Sequence, residues 1–157
     1  MNIRVPEHQN ENIRETDESE DQKSKYKGVV PKHEKLWVWQ KAHKLMLAIH
    51  KICKRLPQSE YYRLRDQVER SSKSVQDNIA EGCSGYYFNN KIKAYYVSRK
   101  EAAETQSHIR EMEAKEYVDR NFSQPLIDEY EEIIRGLNGL INRTCELREY
   151  YSKKGLK

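Results

Sequence analysis

Between Gln67 and Gly82 the chain reads QVERSSKSVQDNIAEG, and this stretch gathers the side chains best suited to recognition or chemistry. Gln67, Arg70, Ser74, Asn78 and Glu81 fall three or four residues apart, so a helix would align them along one side. The adjoining face carries Leu64, Val68, Ser71 or Ser72, Val75, Ile79 and Gly82. That apolar stripe is thin in large side chains, and small residues let a neighbouring helix come close. Further on, KEAAET sets Glu101 and Glu104 beside two alanines on a second amphipathic segment. Buried amides, hydroxyls and carboxylates must find partners. Arg70, Asn78, Glu81, Glu101 and Glu104 are therefore expected to form a structural polar network between two helices, with Arg99 as a further cation.

Catalytic patterns are missing from this material. Ser71, Ser72 and Ser74 have no evident histidine partner, and the turn around Cys83 lacks the strand a nucleophile elbow requires. No glutamate is followed three residues later by histidine, as di-iron bundles need. His43 and His50 stand seven apart on a basic helix, where surface positions are expected, while helical metal ligands sit three or four apart. The chain has no phosphate-binding glycine loop. These absences predict a protein that is not an enzyme, with no metal and no cofactor. Cys53, Cys83 and Cys145 lie far apart with no C-x-x-C, which suits reduced thiols in a cytoplasmic protein.

The elements that would position these residues follow from periodicity. Charged residues make up 34% of the chain but alternate in sign, a pattern of solvated helix faces rather than wholesale disorder. No run of ~18 apolar residues is available to span a membrane, and no apolar signal core opens the chain. Residues 1–33 show neither helical nor strand period and few large hydrophobes, predicting a disordered mixed-charge tail that acts as a linker. A bundle domain is expected over 34–157. Its first helix, over 34–56, carries Val38, Ala42, Leu45, Ile49, Ile52 and Leu56, and Pro57 should close it. The second, over 59–82, should be capped by Ser59. The third covers 89–117. The last begins at Pro125, preceded by Ser123 or Gln124, and runs through Leu126, Tyr130, Ile133, Leu137, Leu140, Thr144, Leu147 and Tyr151. Gly136 and Gly139 within it predict close approach of another backbone. Four such helices with short connections make an all-α, antiparallel up-and-down four-helix bundle.

Two further readings concern surfaces. The tail carries six basic and seven acidic residues, which leaves the remainder at +5. The first helix is the most lopsided part. Lys35, Lys41, Lys44, Lys51, Lys54 and Arg55 face only Glu34. Lys41, Lys44, Lys51, Lys54 and Arg55 are the candidate nucleic-acid-binding residues, since rows of lysine contact phosphate without reading sequence. Trp39, Met46 and Cys53 on the first helix, and Ile127, Ile134 and Ile141 on the last, recur every seven residues beyond the main seams. Such second stripes predict a homo-oligomer. Tyr86, Tyr87 and Phe88, beside Lys91 and Lys93, are expected to cover the bundle end or a subunit contact, stacking on bases being the other use.

The stretch from Leu56 to Gly82 resembles four-helix bundle proteins first described as products of 23S rRNA intervening sequences. The match runs through Leu56, Pro57, Glu60, Leu64, Gln67, Val68, Arg70, Ser74, Val75 and the run Asn78-Ile79-Ala80-Glu81-Gly82. Leu36, Val38, Trp39 and Ala42 fit the opening of the family's first helix. Glu101, Ala102, Glu104 and Thr105 fit a motif of one branch, although His108 and Ile109 depart from its usual aromatic and leucine. The resemblance implies a small, cytoplasmic, bacterial protein. It also points to the accessory protein of diversity-generating retroelements, a basic ring-forming bundle that binds nucleic acid and a reverse transcriptase. By that likeness this chain would be a pentameric scaffold associated with RNA or DNA. The alternative is an interaction module partnering a reverse transcriptase, or another protein, without touching nucleic acid.

Overall fold

The computed structural model describes residues 28–155. Four helices follow one another: α1 Trp37–Cys53, α2 Asp66–Ser84, α3 Phe88–Ala114 and α4 Arg120–Lys153. No strand occurs among the described residues. Helix α1 packs on α2 and α4, α2 packs on α3, and α3 packs on α4. Paired side chains give the directions. His43 meets Gln76 and His50 meets Glu69, so α2 recedes by seven residues as α1 advances by seven. Val75 meets Ser98 while Ser71 meets Thr105, and α3 therefore runs against α2 in the same way. The fold is an antiparallel up-and-down four-helix bundle. Of the expected tail, residues 1–27 lie outside the described residues.

The core follows helical period more closely than a strict heptad. On α1 the buried residues are Val38, Ala42, Leu45, Ile49 and Cys53, with Ile52 only partly covered. On α4 they include Tyr130, Ile133, Leu137, Ile141 and Thr144, with Leu140 partly covered. A straight helix turns slightly less than two full turns in seven residues, so the buried line drifts from one flank to the other. Each of these helices also touches two neighbours and needs an apolar face wider than a single seam. Hence Cys53 and Ile141, expected to face a second subunit, lie inside this chain's own core. Trp39, Ile127 and Ile134 pack partly against the same core. Burying a side chain such as Ile49 or Leu137 contributes roughly 1.5–3 kcal/mol.

Helix ends differ from the expected ones for local reasons. Helix α1 stops at Cys53, before Pro57, which adopts extended angles and leads into a 3-10 turn at Gln58–Glu60. Ser59 makes no capping bond there. A π-helical turn at Tyr61–Arg65 follows, and Arg63 leaves helical angles altogether (φ −117°, ψ −106°). Regular helix resumes only at Asp66. Helix α4 starts five residues before Pro125 because Asp119 accepts a hydrogen bond from the Phe122 amide at 2.9 Å. That cap secures the first turn, and the bond lost at Pro125 then falls where the helix is already nucleated.

Three glycines test the idea of close approach. A Cβ at Gly82 would land in the ring of buried Tyr95, so α2 and α3 touch there only because the side chain is missing. At Gly136 a Cβ would come within 2.7 Å of the Trp37 and Val38 side chains, which seats the start of α1 on α4. Gly139 has nothing within 4 Å, so the expected backbone approach does not occur there. Gly82→Ala should cost about 1–3 kcal/mol through overpacking. Gly139→Ala should gain about 1 kcal/mol from helix propensity alone. Denaturant unfolding of the two variants checks the opposite signs. The Tyr130 hydroxyl is fully buried without a hydrogen-bond partner, and burial raises its pKa far above the ordinary 10. Tyr130→Phe should therefore raise the unfolding midpoint, because it removes a desolvated group and almost no packing.

Candidate nucleic-acid interface

The seam between α2 and α3 is joined by hydroxyls, not by charges. The Thr105 hydroxyl donates to Ser71 Oγ at 2.9 Å, and Ser98 donates to the Val75 carbonyl at 2.8 Å. Ser71 and Ser72 otherwise turn back onto the Val68 and Glu69 carbonyls of their own helix. The five residues expected to form one network do not connect. Arg70 is exposed and lies 3.7 Å from Asp66 on its own helix. Asn78 donates to the Ser74 carbonyl and hydroxyl, at 2.8 and 3.0 Å. Glu104 lies 3.5 Å from His108 Nε2 on its own helix, while the Glu81 and Glu101 carboxylates have no ion pair among the described residues. Arg99, proposed as a further cation, turns the other way and donates to Asn138 on α4. Desolvating long charged side chains at the contact line would cost more than their attraction returns, so small hydroxyls occupy it and the charges reach outward. What Arg70, Glu101 and Glu104 do share is a polar groove of about 470 Å³, lined also by Gln67, Ser71 and Ser74.

The basic residues of α1 divide in two. Lys41 pairs with Glu132 and lies 3.8 Å from Glu129, bridging α1 to α4 and holding the Glu132 carboxyl below its usual range. Lys44 and Lys51 are exposed, as are Lys54 and Arg55 just past the helix end. None of these four has an ion pair among the described residues. Lys44 and Lys51, seven residues apart, share one side of the helix, and Lys54 and Arg55 follow in the turn beyond it. Cations also suit the negative end of the α1 dipole. The kinked connection adds exposed Tyr62 and Arg63 at the same end of the bundle. Exposed Trp37 and Leu47 also lie on α1.

The connection is held by a residue whose role the sequence did not disclose. Glu60 Oε1 accepts from Lys115 Nζ at 3.1 Å and from the Tyr117 hydroxyl at 3.0 Å. Those hydrogen bonds hold its carboxyl below the ordinary value. Glu60 thereby ties the α1–α2 connection to the corner between α3 and α4. Its place three residues after Pro57, within the motif from Leu56 to Gly82, gave no sign of these partners.

Catalytic chemistry finds little footing. His43 and His50 both turn toward α2, through Gln76 at 2.8 Å and Glu69 at 3.2 Å, and Trp39 stacks on His43. That packing corrects the surface position expected for His43. No three His, Cys, Asp or Glu side chains converge to hold a metal among the described residues. The Cys53 thiol is pushed up to about 12 by burial and secondarily by Glu69, which makes it a poor nucleophile. No helix among the described residues is long and apolar enough to cross a membrane.

These features define a small all-helical bundle with a hydroxyl-lined seam and charged groups that reach outward. The chain belongs to the 23S rRNA-intervening sequence protein family, whose model matches residues 34–139. Among solved structures, the fold is similar to a protein of unknown function from the S23 ribosomal protein family of Bacteroides thetaiotaomicron VPI-5482. The TM-score is 0.62 at 24% identity, over 67% of this chain and 95% of that one. No curated protein matches the chain at a significant level.

The Glu60 contact carries a pH signature. Its folded pKa lies below the ordinary 4.5, so its stabilisation is complete above that value and fades as pH falls through the folded pKa. Melting temperature followed from about pH 6 down to about pH 3 should fall more steeply in the wild type than in Glu60→Gln.

Proposed function

We propose that this protein is a non-enzymatic, oligomeric helical scaffold that associates with nucleic acid through the outer face of α1. One observation carries the reading: Lys44 and Lys51, seven apart on α1, and Lys54 and Arg55 in the turn that follows are exposed and without ion pairs among the described residues. Lys41 is set apart by its bridge to α4 and contributes less. Lysines so placed meet successive phosphates and give affinity without sequence choice. The family's name, which refers to sequences inserted in 23S rRNA, is in keeping with an RNA setting. Exposed Trp37 and Leu47 on the same helix suit a contact between copies, with a pentamer favoured by resemblance. The competing reading is a protein-interaction module, partnering for example a reverse transcriptase.

Titration of labelled structured RNA and duplex DNA at several salt concentrations tests the proposal. Affinity should fall steeply with salt, and Lys44→Glu with Lys51→Glu should weaken binding and lower the logarithmic salt slope by about 2. Absence of binding even near ~50 mM salt would hand the function to the interaction module. Light scattering at micromolar concentration should give a mass above that of the monomer.

A further inference from the structure

The far end of the bundle, away from the α1–α2 connection, carries a second surface. The α2–α3 connection presents Tyr86 and Tyr87, which are 84% and 66% exposed. Neither covers the bundle end. A connection this short needs turn formers such as Gly85, and nothing in its geometry calls for two solvent-facing rings. The tertiary fold brings the end of α4 beside it, with Tyr150 and Tyr151 at 51% and 39% exposure. Ring contacts join the two segments. Tyr151 stacks on Phe88 at 5.8 Å and meets Tyr150 edge-on at 5.5 Å, while Tyr86 meets Tyr87 edge-on at 5.1 Å.

One cation sits on these rings and others are exposed close by in the chain. Lys154 Nζ sits 4.5 Å over the Tyr150 ring, and Lys153 and Lys93 are exposed on the neighbouring turns. Arg148 holds Asn89 at 3.0 Å, which fastens α4 to the start of α3. Glu149 on the same turn of α4 and Glu81 near the end of α2 are the exposed acids beside Lys93, Arg148, Lys153 and Lys154. Contiguous exposed rings on a soluble bundle mark a binding surface. Rings that present faces and edges among lysines suit bases with free π-faces and a charged backbone. A duplex keeps its bases stacked inside and cannot offer them.

We propose that this aromatic end binds single-stranded nucleic acid by stacking unpaired bases on Tyr86, Tyr87, Tyr150 and Tyr151, with the flanking lysines holding the phosphates. The proposal shares its ligand class with the α1 reading but uses a different end of the molecule and a different form of nucleic acid.

The test uses the full chain and two labelled probes, an oligothymidylate of about 12 nucleotides and an abasic phosphodiester of equal length. The wild type should bind the thymidylate at least ~10-fold more tightly than the abasic chain. Tyr86→Ala with Tyr150→Ala should abolish that preference while leaving the salt slope and the melting temperature unchanged, since neither ring belongs to the core. Equal affinity for the two probes, or no binding of thymidylate, overturns the proposal. A double variant that alters only the mass in light scattering overturns it too, and assigns the patch to contacts between copies. Duplex binding that is lost in Lys44→Glu with Lys51→Glu reports on α1 separately, so either reading can fail while the other stands.

Discussion

Close contact between α2 and α3 is the constraint on which the rest of the structure depends. It is set by what is small. Gly82 admits the Tyr95 ring, and Ser71 meets Thr105 through a single hydroxyl contact of 2.9 Å. Ser98 reaches the Val75 carbonyl across the same line. Buried hydroxyls must be paired, and the pairs that cross this line, Ser71 with Thr105 and Ser98 with Val75, match the two helices in register as well as in distance. With that pair of helices locked, α4 lies along α3 through Arg99 and Asn138, and α1 closes the bundle through His43 and Gln76.

The same constraint explains why the molecule's charges face outward. A seam too narrow for guanidinium or carboxylate groups leaves Arg70, Glu81, Glu101 and Glu104 at its margins, where water solvates them cheaply. The consequence is a bundle with polar margins and little enclosed chemistry. Charged groups then act in two ways. Some bridge elements, as Lys41 does between α1 and α4 and Glu60 does between the α1–α2 connection and the α3–α4 corner. Others, such as Lys44 and Lys51, stand in solvent with no ion pair among the described residues. Exposed aromatic and charged side chains lie at both ends of this bundle. The α1–α2 end carries exposed Lys54, Arg55, Tyr61 and Tyr62, and the opposite end carries exposed Tyr86, Tyr87, Tyr150 and Tyr151 with Lys153 and Lys154.

Periodicity by itself determined the helices, their number and much of the core. Val38, Ala42, Leu45 and Ile49 repeat too regularly to be anything but a helix face, and Tyr130, Ile133 and Leu137 do the same on α4. The motif from Leu56 to Gly82 likewise determined the family, because polar residues at that spacing are an uncommon pattern. Tertiary structure decided everything that depends on which neighbour a face meets. Periodicity cannot tell a stripe that meets the chain's own core from one left for a second copy, so Cys53 and Ile141 proved to be interior. It cannot tell Gly136, pressed against Trp37 and Val38, from Gly139, which faces open space three residues later. Nor can it bring Tyr150 and Tyr151 to Phe88 across more than sixty residues of chain. A period records that a residue is apolar or polar along its own helix axis. Partner, distance and exposure are set by helices distant in sequence, and they exist only once those helices have packed.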